Sequence, residues 1–313
     1  MDEGCVFIGG EFVSPEDARM SIFDAGFVWG DTVYDVTSSW AGWFFMLDEH
    51  LDRFARSCAG FRLENPYCAD DMRRILAECV ARTGHDNCYV KLQLTRGVIP
   101  GQVRDPRLGT PAFVAYATPY VWIWGEDKCH NGAALHVSAV ERVSSKAIDA
   151  RCKNYNRADF VQARFEAYDH GCDDALLVGA DGALTEGPGY NVFVVKDGAV
   201  ATPDANVLEG ITRRAVAEIC REDGIPFACR RVEPGELRSA DEVFASTTAG
   251  GVMPVIRLGD RPIGNGHAGL LTGHLQSRYW SKREDGWHGT RVEDLLPPGG
   301  MAGLSSVRRP ARG

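Results

Sequence analysis

The stretch Lys146 to Phe193 reads KAIDARCKNYNRADFVQARFEAYDHGCDDALLVGADGALTEGPGYNVF, and its reading decides the fold. After Lys153, residues Val161, Phe165 and Tyr168 recur at helical spacing, and Gly171 stops the run. Strand-like ALLVG and ALTE then flank Asp181-Gly182, while YNVFVVK and AVAT flank Asp197-Gly198. An Asp-Gly pair between apolar runs is a strong hairpin signal, because both residues tolerate the positive φ of tight turns. Glu186 is therefore carried on an antiparallel strand, followed by Gly187, Pro188, Gly189 and Asn191. Upstream, AALHVSAVERV from Ala133 to Val143 alternates as a further strand. Helices and hairpins in this order predict an α+β chain.

The Lys153 amine can condense with an aldehyde, and the Glu186 carboxylate can hold a positive charge on a ring nitrogen. Those are the needs of a pyridoxal 5'-phosphate enzyme, whose ring is an electron sink. The order Lys153-Asn154, Asp159-x-Val161, Arg164, EAYD-x-Gly171, Asp173-x-ALL, Asp181-Gly182, LTEG-x-G-x-NVF from Leu184, and Asp197-Gly198 resembles the class IV aminotransferases of pyridoxal-phosphate fold type IV. That group holds branched-chain and D-amino-acid aminotransferases, (R)-selective amine transaminases and aminodeoxychorismate lyase. The resemblance runs from about Phe12 to about Asp285. It implies a small N-terminal α/β domain and a larger cofactor domain built on an antiparallel sheet or barrel with helices.

Composition narrows the alternatives. With 313 residues, 44% hydrophobic and 25% charged, the chain suits one large or two modest globular domains. A net charge of −9 argues against nucleic-acid binding by phosphate neutralisation. The ten cysteines form no C-x-x-C pair. Without a basic or apolar leader, they read as free buried thiols of a cytoplasmic protein. The most apolar run, Ala112 to Trp124, is too short to span a membrane. The eight histidines show no metal-ligand spacing, and no nucleophile elbow, Walker loop or dinucleotide fingerprint occurs.

In the N-terminal part, CVFIGGEFV predicts a hairpin around Gly9-Gly10. Tyr34-Asp35-Val36 is most similar to the (R)-selective amine transaminases, where the tyrosine lines the substrate pocket. Read alone, Tyr34 is a half-buried strand tyrosine. Asp48 is a candidate N-cap before a helix with Leu51, Phe54, Ala55 and Cys58 on one face. By resemblance, Arg53 reaches the cofactor phosphate, for which a planar guanidinium suits bidentate contact. A second helix, Ala69 to Arg82, carries Met72, Ile75, Leu76, Cys79 and Val80, and Gly84 ends it. In CYVKLQLTRG, Val90, Leu92 and Leu94 share one strand face and Tyr89, Lys91 and Gln93 the other. Branched-chain enzymes have a tyrosine-x-arginine pair here that binds carboxylate, so Tyr89 and Lys91 point to a carboxylate-bearing substrate. The alternative is a solvent-facing strand side. Arg104 or Arg107, in the loop Val98 to Pro111, are further candidates for a substrate carboxylate.

Gly125, Glu126, Asp127 and Lys128 read as a linker. The expected domains are 1–122 and 130–290, joined by 123–129, with 291–313 a flexible tail. In the second domain the resemblance places Leu208 on the cofactor ring. It sets Gly210, Ile211 and Thr212 at a helix start that binds phosphate with free amides. Thr247 and Thr248 add phosphate contacts, and Ala249 and Gly250 form an edge for the substrate carboxylate. His274 to Trp280 is a final helix.

The implied reaction is a ping-pong transamination through a Lys153 Schiff base, with Lys153 also the proton carrier. The donor expected first is an (R)-amine or D-amino acid, with a 2-oxo acid as acceptor. A branched-chain L-amino acid comes second and aminodeoxychorismate cleavage third. Trp29 and Arg157 depart from the amine transaminases at pocket positions, replacing a smaller or polar residue and an aromatic. The resemblance further implies a homodimer, and neither nucleic acid nor membrane is expected as a partner.

Overall fold

The computed structural model describes residues 4–101 and 104–297. It divides into two compact units, the first holding the described residues up to 120, with 152–156 and those from 283 on. The second holds 121–151 and 157–282. The expected cut near residue 122 is thus accompanied by two further transfers of chain, and the short one contains Lys153.

The first unit begins with β1 (Cys5–Ile8) and β2 (Glu11–Val13), hinged on Gly9 and Gly10, both at positive φ. A one-turn helix, α1 (Ala25–Val28), is capped by the Asp24 carboxylate. Strand β3 (Thr32–Trp40) turns at Ala41-Gly42 into β4 (Trp43–Phe45). Helices α2 (Leu47–Gly60) and α3 (Ala69–Thr83) follow, then β5 (Cys88–Thr95) and β6 (Ala112–Pro119). In α3 the five predicted stripe residues are all buried, and Gly84 ends the helix at φ 72°. Helix α2 starts at Leu47 after Met46 in the left-handed region, one residue before the expected Asp48 cap. Its buried face is Leu51, Phe54 and Cys58 together with His50, Arg53 and Ser57, while Ala55 is exposed.

In the second unit, α4 (Glu126–Asn131) occupies most of the expected linker, and Trp124 beside it packs into the core. The elements then run β7 (Ala133–Glu141), α5 (Ala158–Asp169), β8 (Asp174–Val178), β9 (Glu186–Gly187), β10 (Tyr190–Lys196) and β11 (Ala199–Thr202). After these come α6 (Ile211–Glu222), β12 (Phe227–Cys229), α7 (Pro234–Ser239), β13 (Glu242–Thr247), β14 (Gly251–Leu258), β15 (Arg261–Pro262) and α8 (Leu270–Glu284). The α5 stripe is a correction. Val161, Phe165 and Tyr168 are exposed, and the helix instead buries Phe160, Ala163 and Ala167. Small alanines let it lie close on β7 and β8, so the larger apolar residues face away.

The last described strand, β16 (Gly289–Arg291), returns to the first unit and pairs with β4, and Val292 after it is buried. The expected tail therefore does not begin at 291, and its part from residue 298 on lies outside the described residues. The first sheet runs β16-β4-β3-β5-β6-β1-β2, antiparallel throughout. The second runs β12-β11-β10-β13-β14-β7-β8, with β9 on β10 and β15 on β14. Its middle is antiparallel as expected, but β11 with β12, β14 with β7 and β7 with β8 are parallel. All ten cysteines are free; Cys68 and Cys229 are exposed and Cys152 half-buried, in place of the uniformly buried set expected.

Candidate active site

Lys153 sits on no regular element, yet its backbone is fixed from two sides. The Tyr34 N–H of β3 donates to its carbonyl at 3.0 Å, and its own N–H donates to the Ser57 hydroxyl of α2 at 3.0 Å. Asn154 bridges to Val33. The Lys153 Nζ lies 4.8 Å from the centroid of the Tyr34 ring. Tyr34 stacks on Tyr155 at 4.3 Å, and the Tyr155 hydroxyl donates to Gln93 Oε1 at 3.1 Å. Lys91 Nζ lies 4.6 Å from the Tyr34 centroid and 4.6 Å from that of Tyr155. Two ammonium groups thus share one tyrosine ring, whose negative face attracts cations. Lys91 is accordingly not a solvent-facing strand residue, and Tyr89 follows on the same β5 face with its ring 6.4 Å from that of Tyr116.

Behind this niche, on the other face of β3, is a buried charged group. Asp35, fully buried, receives Arg53 Nε and Nη2 at 2.8 Å each and pairs with His50 Nδ1 at 2.7 Å. Burial works to raise the Asp35 pKa, but the Arg53 charge and the hydrogen bonds of Arg53 and His50 win, holding the carboxyl well below its usual range. Burial dominates at His50 and pushes its pKa down, so the ring is neutral and donates from Nδ1. The Arg53 fork expected to grip a phosphate bidentately is therefore turned to Asp35 through Nε and Nη2. The Asp35 partnership was readable in principle: in β3 it shares a face with Val33, and an acid on a core-facing position demands a counter-charge.

In the second unit, Glu186 is 5% exposed and held at both oxygens. Oε2 accepts the Leu208 N–H at 3.0 Å, and Oε1 accepts Arg142 Nε and Nη2 at 3.3 Å each. Arg142 also donates to Asp159 at 2.7 Å. Asp159 stood in the quoted motif without a role, and Arg142 had not been singled out, since nothing local marks a pair 17 residues apart. Asn191, across from Glu186 on β10, donates to the Leu208 carbonyl at 2.9 Å. The Leu208 peptide is thus pinned at N–H and C=O. A Cβ on Gly210 would stand 2.1 Å from Asn191 Oδ1, so only glycine fits before Ile211 and Thr212 open α6. The first amides of a helix have no intrahelical partner, so this opening is suited to an anion. At the end of β13 the Thr247 hydroxyl donates to the Gly189 carbonyl at 2.8 Å. Thr248 is half-buried, and the buried Ala249 accepts the Ile123 N–H at 2.9 Å, next to buried Gly250.

The structure thus gathers Lys153, Tyr34 and Lys91 in one group, and Glu186 with Leu208 and Gly210 in another. Other candidates stand apart. Trp29 is 41% exposed at the end of α1. Arg107 is exposed and paired with Asp105, and Arg104 is exposed. Arg157 lies over the Phe160 ring at 5.0 Å. Residues 102 and 103 of the same loop lie outside the described residues.

Residues 32–258 match the family described as Amino-transferase class IV. The chain is 30% identical over 276 residues to a putative branched-chain-amino-acid aminotransferase of Methanocaldococcus jannaschii, covering 88% of this chain and 94% of that one. It is 31% identical over 277 residues to the D-alanine aminotransferase of Staphylococcus haemolyticus, covering 88% and 96%. Among solved structures, the T.th. branched-chain amino acid aminotransferase with pyridoxamine 5'-phosphate superposes with a TM-score of 0.86 at 29% identity, covering 92% of this chain and 98% of that one.

Proposed function

The chain belongs to the class IV aminotransferases, a family of pyridoxal-phosphate enzymes, and from that premise we propose that it moves the amino group of a carboxylate-bearing donor, D-amino acids first, to a 2-oxo acid. The observation that carries the reading is the pair of ammonium groups over Tyr34: Lys153, the proposed covalent anchor, and Lys91, the proposed carboxylate partner. Tyr34-Asp35-Val36, which had suggested (R)-amines, has another account, because Asp35 is committed to Arg53 and His50. Tyr89-x-Lys91 favours a branched-chain L-amino acid as the second reading.

The residues present fit pyridoxal phosphate. The amine of Lys153 stands in an aromatic niche, Glu186 is a rigidly held carboxylate, and the Gly210 cradle would be filled by a single Cβ. Bound, the cofactor supplies an aldehyde for amines and a ring that accepts electrons released at the substrate carbon. Lys153 would anchor it and, as the amine beside the site, would carry the proton from the donor α-carbon to the carbon that bore the cofactor aldehyde. Glu186, kept in place by Leu208 and Arg142, would accept the ring N–H. Leu208 would pack on the ring. Ile211, Thr212, Thr247 and Thr248 would serve the phosphate, with Arg53 a further proposed contact. Ala249 and Gly250 edge the substrate. Trp29 and Arg157 are kept as lesser pocket candidates.

A homodimer accords with exposed apolar side chains at Ile22, Phe23, Phe27 and Val28, since isolated monomers rarely leave such runs in water. Among the described residues no helix is long and apolar enough to cross a membrane, and the ten free thiols support a cytoplasmic setting. The test is a donor panel of D-alanine, L-leucine and (R)-1-phenylethylamine with 2-oxoglutarate, each followed by cofactor absorbance. Turnover is expected with an amino acid. Turnover with the amine alone removes the reading, and pyruvate released without an acceptor indicates lyase chemistry.

A further inference from the structure

Strand β7 and helix α5 bring three ligand-type side chains together in the second unit, where histidine spacing in the sequence had suggested no metal site. Glu166 lies in the last turn of α5 and His170, four residues on, caps its C-terminal end. His136 comes from β7, 30 residues upstream of Glu166. The candidate ligand atoms of the three lie within 4.8 Å of one another. His136 Nε2 stands 3.2 Å from Glu166 Oε1, and the imidazoles of His136 and His170 stack at 4.3 Å with 14° between planes.

We propose that His136, Glu166 and His170 form a binding site for one divalent first-row transition ion of the zinc class, with water completing the coordination. Two donors at about 2.0–2.2 Å from one ion, at tetrahedral to right angles, stand about 3.0–3.4 Å apart, which brackets the His136–Glu166 separation. The ion would sit between that nitrogen and oxygen. His170 is exposed, so its ring turns about the side-chain torsions to close the third corner, and the ion enters from solvent. The carboxylate is already oriented: Glu166 accepts the Ser138 hydroxyl and, at 3.1 Å, the Ala139 N–H, the outer contacts that give a metal ligand its direction. Two imidazoles and a carboxylate suit zinc, cobalt or nickel, and disfavour calcium and magnesium, which select oxygen. The ion would tie the C-terminal end of α5 to β7.

The experiment uses the untagged holoenzyme, stripped with a chelator and titrated with Co²⁺ and then Zn²⁺ in competition with a chromophoric chelator. One equivalent per chain is expected, with visible cobalt bands lacking thiolate charge transfer. His170→Ala should weaken binding at least about tenfold while leaving transaminase turnover unchanged, and His136→Ala should do the same to binding. A raised melting temperature with Zn²⁺, lost in His170→Ala, is the second readout. Uptake that is absent, unchanged in both variants, or marked by cobalt–thiolate bands overturns the proposal.

Discussion

Replacing Asp35 with asparagine should strand a buried guanidinium. Asp35 accepts from Arg53 at 2.8 Å twice, from His50 at 2.7 Å and from the Val36 N–H at 2.7 Å, with no solvent exposure. Asparagine keeps the volume but turns one acceptor into an NH₂ that meets these donors head-on. Arg53, 3% exposed, then has no counter-charge in this group. Breaking one partner of such a pair costs about 3–5 kcal/mol, whereas exchanging the whole pair for apolar residues is often near neutral. With a urea slope of about 2–3 kcal/mol per molar, the midpoint of the first unit's transition should fall by about 1–2 M. Tryptophan fluorescence in urea reads it. The double variant Asp35→Leu, Arg53→Met should lose less than the single change, since no charge is left buried. A single variant within about 0.5 kcal/mol of wild type, or a double variant that loses as much, refutes the reasoning. The pH profile has a defined sign. The folded pKa of Asp35 is depressed, so its contribution is complete above its unfolded value of about 3.9 and is lost as pH falls below that. His50 is also depressed, chiefly by burial, so the unfolded chain takes up its proton first and stability declines below about pH 6.5. Melting temperatures should hold between neutral and mildly alkaline pH and drop on acidification.

Lys153→Ala should fold, because the position is held by backbone contacts to Tyr34 and Ser57, and should lose at least about 10³-fold in turnover. Intact-mass measurement after borohydride should find no cofactor fixed to the chain, and near-native turnover would remove Lys153 from its role. Lys91→Met should raise KM for carboxylate-bearing donors about 10–100-fold, the loss of one charge-assisted hydrogen bond, and leave (R)-1-phenylethylamine little changed. An equal effect on both donors would place Lys91 elsewhere in the reaction. Gly210→Ala has an acceptable backbone, φ −64°, so its cost is the 2.1 Å approach to Asn191, about 1–3 kcal/mol. Equilibrium dialysis should show weaker retention of pyridoxal phosphate, and unchanged retention would mean the loop yields freely.

Local periodicity made α3 and β5 legible, because each buries one regular face against one partner. The hairpin at Asp197-Gly198 was equally plain: Asp197 takes φ 49° and Gly198 φ 74°. At α5 the same rule misled. Its apolar residues lie on two sides, and the alanines that pack most tightly carry little hydrophobic signal. Lys153 and Glu186 stood out by residue type and motif, and Lys91 by its strand face. Arg142 and Tyr155 did not, since what matters about them is a contact across sequence, Arg142 to Glu186 or Tyr155 to Gln93. Arg53 was found, but its commitment to Asp35 depends on the pairing of β3 with α2.

Strand β16 has an implication for biosynthesis. The β4 edge it covers is made some 240 residues earlier, and the contacts at either end, Met46 N–H to the His288 carbonyl and Val292 N–H to the Gly42 carbonyl, also await the last part of the chain. A nascent polypeptide must therefore carry an open sheet border past the ribosome exit until Gly289 to Arg291 have been made, a span in which unpaired strands invite foreign pairing. A stop codon a few positions before Gly289 would leave that border permanently open.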